Sequence, residues 1–167
     1  MPTQIPSEPD LAKLLDRLVA GQPVARGLLA WRSLLQAHAT LMRRLETDLE
    51  RDTGLTLADF DVLAQLAGAG GSLRMTELAT RALISRSGMT RRVARLVDEG
   101  LVRRANVDAD ARGVVVALTD PGVARLTETW PAHARGISEL FVAQLDDHEL
   151  AVLESALAKV TLDCTFG

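Results

Sequence analysis

The chain has 167 residues, of which 47% are hydrophobic and 25% are charged, a composition that excludes an intrinsically disordered or collagen-like protein. No apolar run approaches the roughly 18–20 residues of a membrane span, and residues 1–8 lack the basic and apolar regions of a secretory signal. We therefore expect a cytoplasmic protein with no membrane partner.

Charge is concentrated in the middle of the chain. The net charge of the whole chain is −3. Residues 72–119 contain nine arginines and five acidic side chains, a net charge of +4, so the remainder carries −7. A basic segment in an otherwise acidic chain favours contact with a polyanion. This segment is therefore the first candidate for nucleic-acid binding.

The N-terminal part of the chain predicts two helices. The apolar residues from Leu11 to Val19 have helical spacing and predict a short docking helix after a polar tail. From about Val24 to Arg51, apolar residues recur at intervals of three and four, which predicts a long amphipathic helix. Gly54 is predicted to end it.

The next two helices are predicted from their capping residues. Thr56 is an expected N-cap, with Asp59 three residues later. After a short extended stretch at residues 73–75, Thr76 is predicted to cap a third helix that runs to about Leu83.

A fourth helix is predicted from about Ser85 to Gly100, and it has two unlike faces. At 100° per residue, one face is apolar and the face nearly opposite is cationic and polar. The apolar face holds Met89, Val93, Leu96 and Val97, and the opposite face holds Ser87, Arg91, Ala94 and Arg95. The first face predicts core packing, and the second predicts an exposed basic surface.

Two strands and two further helices complete the chain. Residues 101–105 and 114–118 predict two strands joined by a polar turn. A helix follows in which apolar residues recur at intervals of three and four, and Pro131 is predicted to kink or rebuild this helix. Asp146 and Glu149 predict a capping box at the start of the last helix. The fold class is therefore mainly α with a small β-hairpin.

A helix pair followed by a hairpin predicts a winged helix-turn-helix domain, flanked here by long helices. In such a domain the second helix enters the major groove of DNA and the wing tip reaches the minor groove. Arginines can donate paired hydrogen bonds to guanine, and short hydroxyl side chains allow close approach to phosphate or base. The predicted DNA-binding residues are Ser85, Arg86, Ser87, Thr90, Arg91, Arg95 and Arg112.

Two of the basic residues have a second interpretation. Arg95 and Arg104 can each clamp a phosphate, or can pair with Asp98, Asp108 or Asp110 and hold the wing against the helix. Both interpretations stay open from the sequence. We therefore group Asp110 and Arg104 as wing or scaffold residues.

Several short motifs follow one another between Met75 and Gly122. They are Leu-Ala at 78–79, S-x-S-x-x-T-R at 85–91, R-L-x-x-x-G-L-V-x-R at 95–104, D-x-R at 110–112 and V-x-L-T-x-x-G at 116–122. In this combination the chain resembles the MarR family of bacterial transcription regulators. The flanking amphipathic helices extend the resemblance to nearly the whole chain.

The resemblance implies a homodimer that binds double-stranded DNA at a palindromic operator. Apolar stripes on three long helices agree with this, because a symmetric dimer would bury them. Two recognition helices would meet successive major grooves about 10 bp apart. We expect dimerisation helices in residues 1–53 and 120–167 and the winged DNA-binding domain in residues 54–119.

The resemblance also implies a pocket between the dimerisation helices and the winged domain for a small aromatic or carboxylate effector. Such an effector would shift the dimer between states that can and cannot bind DNA. Each candidate is equally explained as an ordinary core or interface residue. The candidates are Trp31, His38, Met42, Phe60, Asp61, Trp130 and His133.

Other classes of function find less support in the sequence. The sequence has no Gly-rich phosphate loop and no local Ser/His/Asp signature, so we expect no enzyme. His38, His133 and His148 have no partner at metal-ligand spacing, and Cys164 is the single cysteine, so we expect no metal and no cofactor.

The remaining alternative is a protein-interaction or effector-binding module that keeps the winged fold without specific DNA binding. In such modules the exposed face of the second helix tends to be apolar or acidic, whereas here it is cationic. Family resemblance favours a ligand-responsive repressor. An activator would use the same DNA contacts.

Overall fold

The computed structural model describes residues 13–21, 27–106 and 113–165. Within those ranges, no helix combines the length and the apolar character needed to cross a membrane. The chain divides into two compact units, Met1–Met42 and Arg43–Gly167. The long second helix, α2, contributes residues to both.

The first unit contains helix α1 (Leu14–Val19) and the N-terminal part of helix α2 (Leu28–Thr53). Both predicted helices are confirmed. From Leu28 to Met42, α2 leaves large apolar side chains exposed, among them Leu29 at 76% and Trp31 at 55%. This part of α2 therefore carries an apolar surface that the described residues leave exposed.

The second unit begins with the last turns of α2 and contains the remaining elements. In chain order they are α3 (Leu57–Gly68), β1 (Ser72–Arg74), α4 (Met75–Arg81), α5 (Arg86–Asp98), β2 (Val102–Asn106), β3 (Val114–Leu118), α6 (Asp120–Leu140), a short 3-10 turn (Val142–Gln144) and α7 (Asp147–Thr165). This order confirms the predicted sequence of helices and strands.

The three strands form one antiparallel sheet in the order β1-β3-β2. The predicted hairpin is confirmed as β2 and β3, with Arg104 opposite Val116. The stretch predicted only as extended is a third strand, in which Leu73 pairs with Val116. The turn between β2 and β3, with Asp108, Asp110 and Arg112, lies outside the described residues.

The limits of α4 differ from the prediction. Thr76 is not its cap, because the helix begins at Met75, and the backbone N–H of Arg74 donates to the Glu77 carboxylate at 3.3 Å. The helix ends at Arg81 rather than near Leu83, because Leu83 adopts a left-handed backbone with φ of 53°. This conformation is costly for a branched side chain, and it produces the turn before α5.

The core lies where α3, α4 and α5 pack against the sheet. The apolar face predicted for α5 is buried there. Fully buried side chains come from all three helices and from the sheet. They include Leu63, Leu66, Leu78, Met89, Val93, Leu96 and Val116. Burial of one face of α5 leaves its opposite face to solvent.

Helix α6 runs unbroken through Pro131, whereas we predicted that this proline would rebuild or kink the helix. A proline removes one backbone hydrogen bond. Contacts of α6 with α3 on both sides of the proline keep the helix continuous, since Trp130 and His133 both lie against Phe60.

The predicted capping box at the start of α7 is confirmed. The Asp146 carboxylate accepts from the backbone N–H of Glu149 at 2.8 Å, and the Glu149 carboxylate accepts from the backbone N–H of Asp146 at 2.9 Å.

The start of α6 depends on a close approach that only glycine allows. The Thr119 hydroxyl donates to the carbonyl of Gly100 at 2.6 Å and accepts from the N–H of Gly122 at 3.1 Å. A Cβ at residue 122 would overlap the carbonyl oxygen of Leu101. The first turn of α6 is therefore pressed against the loop that follows α5.

We predict that Gly122→Ala lowers the free energy of unfolding by about 1–3 kcal/mol or more, because the Leu101 backbone cannot move aside without disturbing the sheet. Gly68→Ala is the matched control, since residue 68 is helical and a Cβ there meets no atom within 4 Å. That variant should gain roughly 0.5–1 kcal/mol. Urea unfolding followed by circular dichroism measures both, and equal stabilities would contradict the prediction.

Candidate nucleic-acid interface

The N-terminal half of α5 presents hydroxyl groups and free guanidinium groups to solvent. Ser85 caps the helix, with its Oγ accepting from the N–H of Gly88 at 3.2 Å. Thr90 Oγ1 donates to the carbonyl of Arg86 at 2.9 Å. Arg86 and Arg91 are exposed, and within the part of the chain that the structure describes neither guanidinium group has a hydrogen bond or ion pair.

Ser87 and Arg91 lie on the face opposite the buried side chains of α5, as the helical spacing predicted. Ser87 is exposed, with its Oγ 3.4 Å from that of Ser85, and Ser85 and Arg86 lie exposed at the start of the helix. Exposed guanidinium groups and hydroxyls in this half of α5 can donate hydrogen bonds to base edges and to phosphate oxygens. The geometry therefore suits a nucleic-acid ligand.

The C-terminal half of α5 is anchored to α3 through Asp59. This carboxylate is only 3% exposed. It accepts a hydrogen bond from Arg92 Nη1 at 2.7 Å, another from Arg95 Nη2, and a third from Thr56 Oγ1 at 2.7 Å. We call these four residues the Asp59 cluster. It joins the first turn of α3 to two successive turns of α5.

Electrostatics keep Asp59 ionised despite its burial. Burial alone would raise its pKa, but the hydrogen bonds from Arg95, Thr56 and Arg92 outweigh that effect and hold the pKa below its ordinary value of 3.8. The same contact raises the pKa of Arg95. Because the folded-state pKa of Asp59 is depressed, its contribution to stability is present above the unfolded pKa and is lost as pH falls through the folded one.

Arg95 and Arg104 make contacts that the sequence did not predict, and two of their predicted partners, Asp108 and Asp110, lie outside the described residues. Arg95 bonds Asp59 and approaches Glu99 at 3.8 Å, instead of pairing with Asp98. Arg104 Nη2 donates to the backbone carbonyl of Thr90 at 3.2 Å. This contact ties β2 to α5, so Arg104 links the base of the wing to the exposed helix.

A cavity of about 320 Å³ opens beside that link. Among the described residues, two guanidinium groups and two hydroxyls line it and no acidic side chain does, so it can hold an anion. Its lining residues are Arg74, Met75, Thr76, Thr90, Arg104, Gly113 and Val114. Sequence analysis missed Arg74 and Thr76 as site residues. Their proximity to Arg104 follows from the pairing of β1 with β3, which no local motif indicated.

A second group of predicted site residues meets where α3 packs on α6. The Phe60 ring lies 4.3 Å from His133 and 6.2 Å from Trp130, measured between ring centres. Phe60 is buried, whereas Trp130 is 54% exposed. We call Phe60, Trp130 and His133 the aromatic cluster. Its members therefore range from a buried ring to an exposed one.

Two buried polar atoms near the aromatic cluster have no hydrogen-bond partner among the described residues. They are His133 Nδ1 and the Oγ1 of Thr129, one turn earlier on α6. Burial lowers the pKa of His133, and the negative charge of Asp61 partly opposes this. Buried unpaired polar atoms are uncommon, so they mark a place where a ligand group could bond.

Three of the other predicted pocket residues lie in the first unit. Trp31, His38 and Met42 are exposed on the part of α2 that belongs to the first unit. Asp61 accepts from Gln65 at 3.3 Å. Thr129, by contrast, was missed, although its spacing of four residues from His133 places both on one helix face. Across the described ranges, no three His, Cys, Asp or Glu side chains gather as a metal site.

We predict that His133 titrates below its ordinary pKa of 6.5. Because its neutral form is favoured in the folded state, stability is unaffected well above pH 6.5 and falls as pH drops below that value. An NMR titration of the imidazole C–H resonances checks this, with His133→Gln identifying the signal. A midpoint at or above 6.5 would show that the ring is not desolvated.

Known proteins resemble this chain over more than the basic segment at residues 72–119. A sequence profile of the MarR family matches residues 53–113. Sco3205, a MarR family transcriptional regulator from Streptomyces coelicolor solved in complex with DNA, shares 35% identity over 82% of this chain and 86% of its own, with a TM-score of 0.76.

Two further relatives span most of the chain. AbsC, a MarR family transcriptional regulator from the same organism, is 26% identical over 99% of this chain and 100% of its own, with a TM-score of 0.76. An uncharacterised HTH-type transcriptional regulator of Bacillus cereus is 28% identical over 134 residues, or 80% of this chain and 88% of that protein. The likeness therefore includes the flanking helices.

Proposed function

The chain belongs to the MarR family of transcription regulators, and from that membership we propose that it is a ligand-responsive repressor that binds a palindromic operator as a homodimer. It is a DNA-binding transcription regulator. We propose further that it acts in the cytoplasm, where its operator would be found.

The single observation that carries the proposal is the exposed face of α5. Its opposite face is fully buried at Met89, Val93 and Leu96, so the helix has one defined outward side. Arg91 lies on that side and Arg86 lies exposed at the start of the helix, and neither guanidinium group has a partner among the described residues. We propose Ser85, Arg86, Ser87, Thr90 and Arg91 as the major-groove contacts, and Arg112, in the wing turn, as a minor-groove contact.

Arg95 and Arg104 have a different role in this proposal. Arg95 bonds Asp59, and Arg104 bonds the Thr90 carbonyl, so both hold α5 in place. They are positioning residues rather than groove contacts. Asp110 remains a proposed wing residue on the basis of its motif with Arg112.

Dimerisation is proposed to use the long helices in residues 1–53 and 120–167. In the first unit, Leu29 and Trp31 are exposed on α2. In the second unit, Val152 and Val160 are exposed on α7, at 53% and 58%. A two-fold dimer would bury such apolar surface on both copies. It would also present two winged domains, residues 54–119, to successive major grooves.

The proposed effector site is the aromatic cluster with Asp61 and Thr129. Aromatic side chains favour a flat apolar ligand, and the unpaired atoms of His133 and Thr129 could bond a carboxylate or hydroxyl group. The effector class is therefore a small aromatic or carboxylate compound. Trp31 and His38 are proposed to contribute within the dimer.

We predict that Arg91→Ala weakens binding to the operator by about 5- to 150-fold, the equivalent of about 1–3 kcal/mol, and relaxes base preference at one position of each half-site. Fluorescence anisotropy of a labelled duplex measures this. Arg43→Ala, which removes an exposed arginine from α2, is the control for lost charge and should bind like the wild type.

Arg112→Ala should weaken binding more evenly across sequences and flatten the salt dependence. Equal affinity of Arg91→Ala, Arg112→Ala and the wild type for the operator would contradict the assigned contacts. Absence of any specific DNA binding by the wild type would favour a winged protein-interaction module instead.

A further inference from the structure

Helix α5 carries four arginines, and the Asp59 cluster divides them into two pairs. Arg86 and Arg91 are unpaired among the described residues, whereas Arg92 and Arg95 both bond the carboxylate of Asp59. The side chain of Asp59 is 5% exposed, but those of Arg92 and Arg95 are 25% and 50% exposed. The two held arginines therefore lie at the protein surface with hydrogen bonds already made to Asp59, which offsets one of their two charges.

Carboxylate and phosphate compete for the same arginine groups. Both anions accept paired hydrogen bonds from guanidinium. To bind Arg92 or Arg95, a DNA phosphate would have to displace the Asp59 carboxylate, which is part of the same chain. Because this carboxylate is buried, dissolved salt screens its attraction to the arginines only weakly. Asp59 also bonds Thr56 Oγ1, which holds the carboxylate in place. Arg92 and Arg95 are thus withheld from DNA phosphates.

Withholding two arginines affects non-specific binding more than specific binding. Non-specific affinity depends on the number of phosphates neutralised, and each one adds about 0.9 to the slope of log K against log salt. A buried ion pair is itself a weak source of stability. A role in limiting phosphate contacts explains why an acid, and not an apolar residue, lies between α3 and α5.

We propose that Asp59 is a specificity-determining residue that withholds Arg92 and Arg95 from the DNA backbone and so raises the ratio of specific to non-specific binding. The proposal rests on the DNA-binding function proposed above. It assigns a role to a residue that touches no DNA itself.

The test compares Asp59→Asn with the wild-type dimer on a shuffled 30-bp duplex at several salt concentrations. Release of one or two arginines should steepen the salt slope by about 0.9 to 1.8. Non-specific binding should become tighter while the ratio of operator to shuffled affinity falls. A variant that differs only in lost stability would show no steeper slope.

Asp48→Asn is the matched control. Asp48 also bridges two arginines, Arg44 and Arg51, each at 2.9 Å, but all three lie on α2. The variant makes the same change in charge away from α5 and frees Arg44, while Arg51 keeps its ion pair with Asp52. Its slope should stay at the wild-type value. An equal slope for Asp59→Asn and Asp48→Asn would overturn the proposal.

Arg95→Ala supplies the second readout, which remains decisive if Asp59→Asn unfolds. Since Arg95 is withheld from phosphate, its loss should leave the wild-type slope unchanged. In the Asp59→Asn background the same substitution should remove about 0.9 of the added slope. A wild-type slope that flattens by about 0.9 in Arg95→Ala would overturn the proposal. A wild type without operator preference would instead refute the proposed function.

Discussion

The ion pair between Asp59 and the two arginines Arg92 and Arg95 fixes the rotation of α5 about its own axis, relative to the rest of the winged domain. Apolar burial alone sets which side of α5 faces the core, but it permits sliding and small rotations. Two hydrogen bonds from successive turns of α5 to one buried carboxylate remove that freedom. The outward direction of Arg91 and Thr90 depends on it.

The same turn of α3 also faces the proposed effector site. Asp59 bonds α5, while the next residue, Phe60, contacts Trp130 and His133 on α6. Asp61, the third in succession, acts on the charge state of His133. A ligand that moves the aromatic cluster would therefore act on a segment directly bonded to the recognition helix. Adjacent residues on one helix turn provide the physical link between effector and DNA that the proposed function requires.

Local signals in the sequence predicted much of this arrangement. Thr56 was predicted as an N-cap and accepts the backbone N–H expected of a cap, and the predicted start of α5 near Ser85 agrees with its observed start. The two faces of α5 followed from helical spacing, and the family followed from the motifs between Met75 and Gly122. These features depend on residues a few positions apart, which sequence patterns report directly.

Contacts between distant residues could not be predicted in the same way. Arg95 was predicted either to clamp a phosphate or to pair with a nearby acid, yet it bonds Asp59, which lies 36 residues away. The strand β1 has only three residues, and it exists because Leu73 pairs with Val116. Pro131 carries a strong local signal to break a helix, but packing of α6 on α3 overrides it. In each case tertiary contacts outweigh the local preference.

The most direct measurement of the central claim is targeted DNA cleavage from the exposed face of α5. Cys164 is replaced by serine, Ser87→Cys is introduced, and an iron chelate that cleaves DNA is attached to the new thiol on the dimer bound to its operator. We predict cleavage at two sites about 10 bp apart, one in each half-site, on the major-groove side. Cleavage that is absent, or spread evenly along the duplex, would contradict the assignment of α5 as the helix that reads DNA.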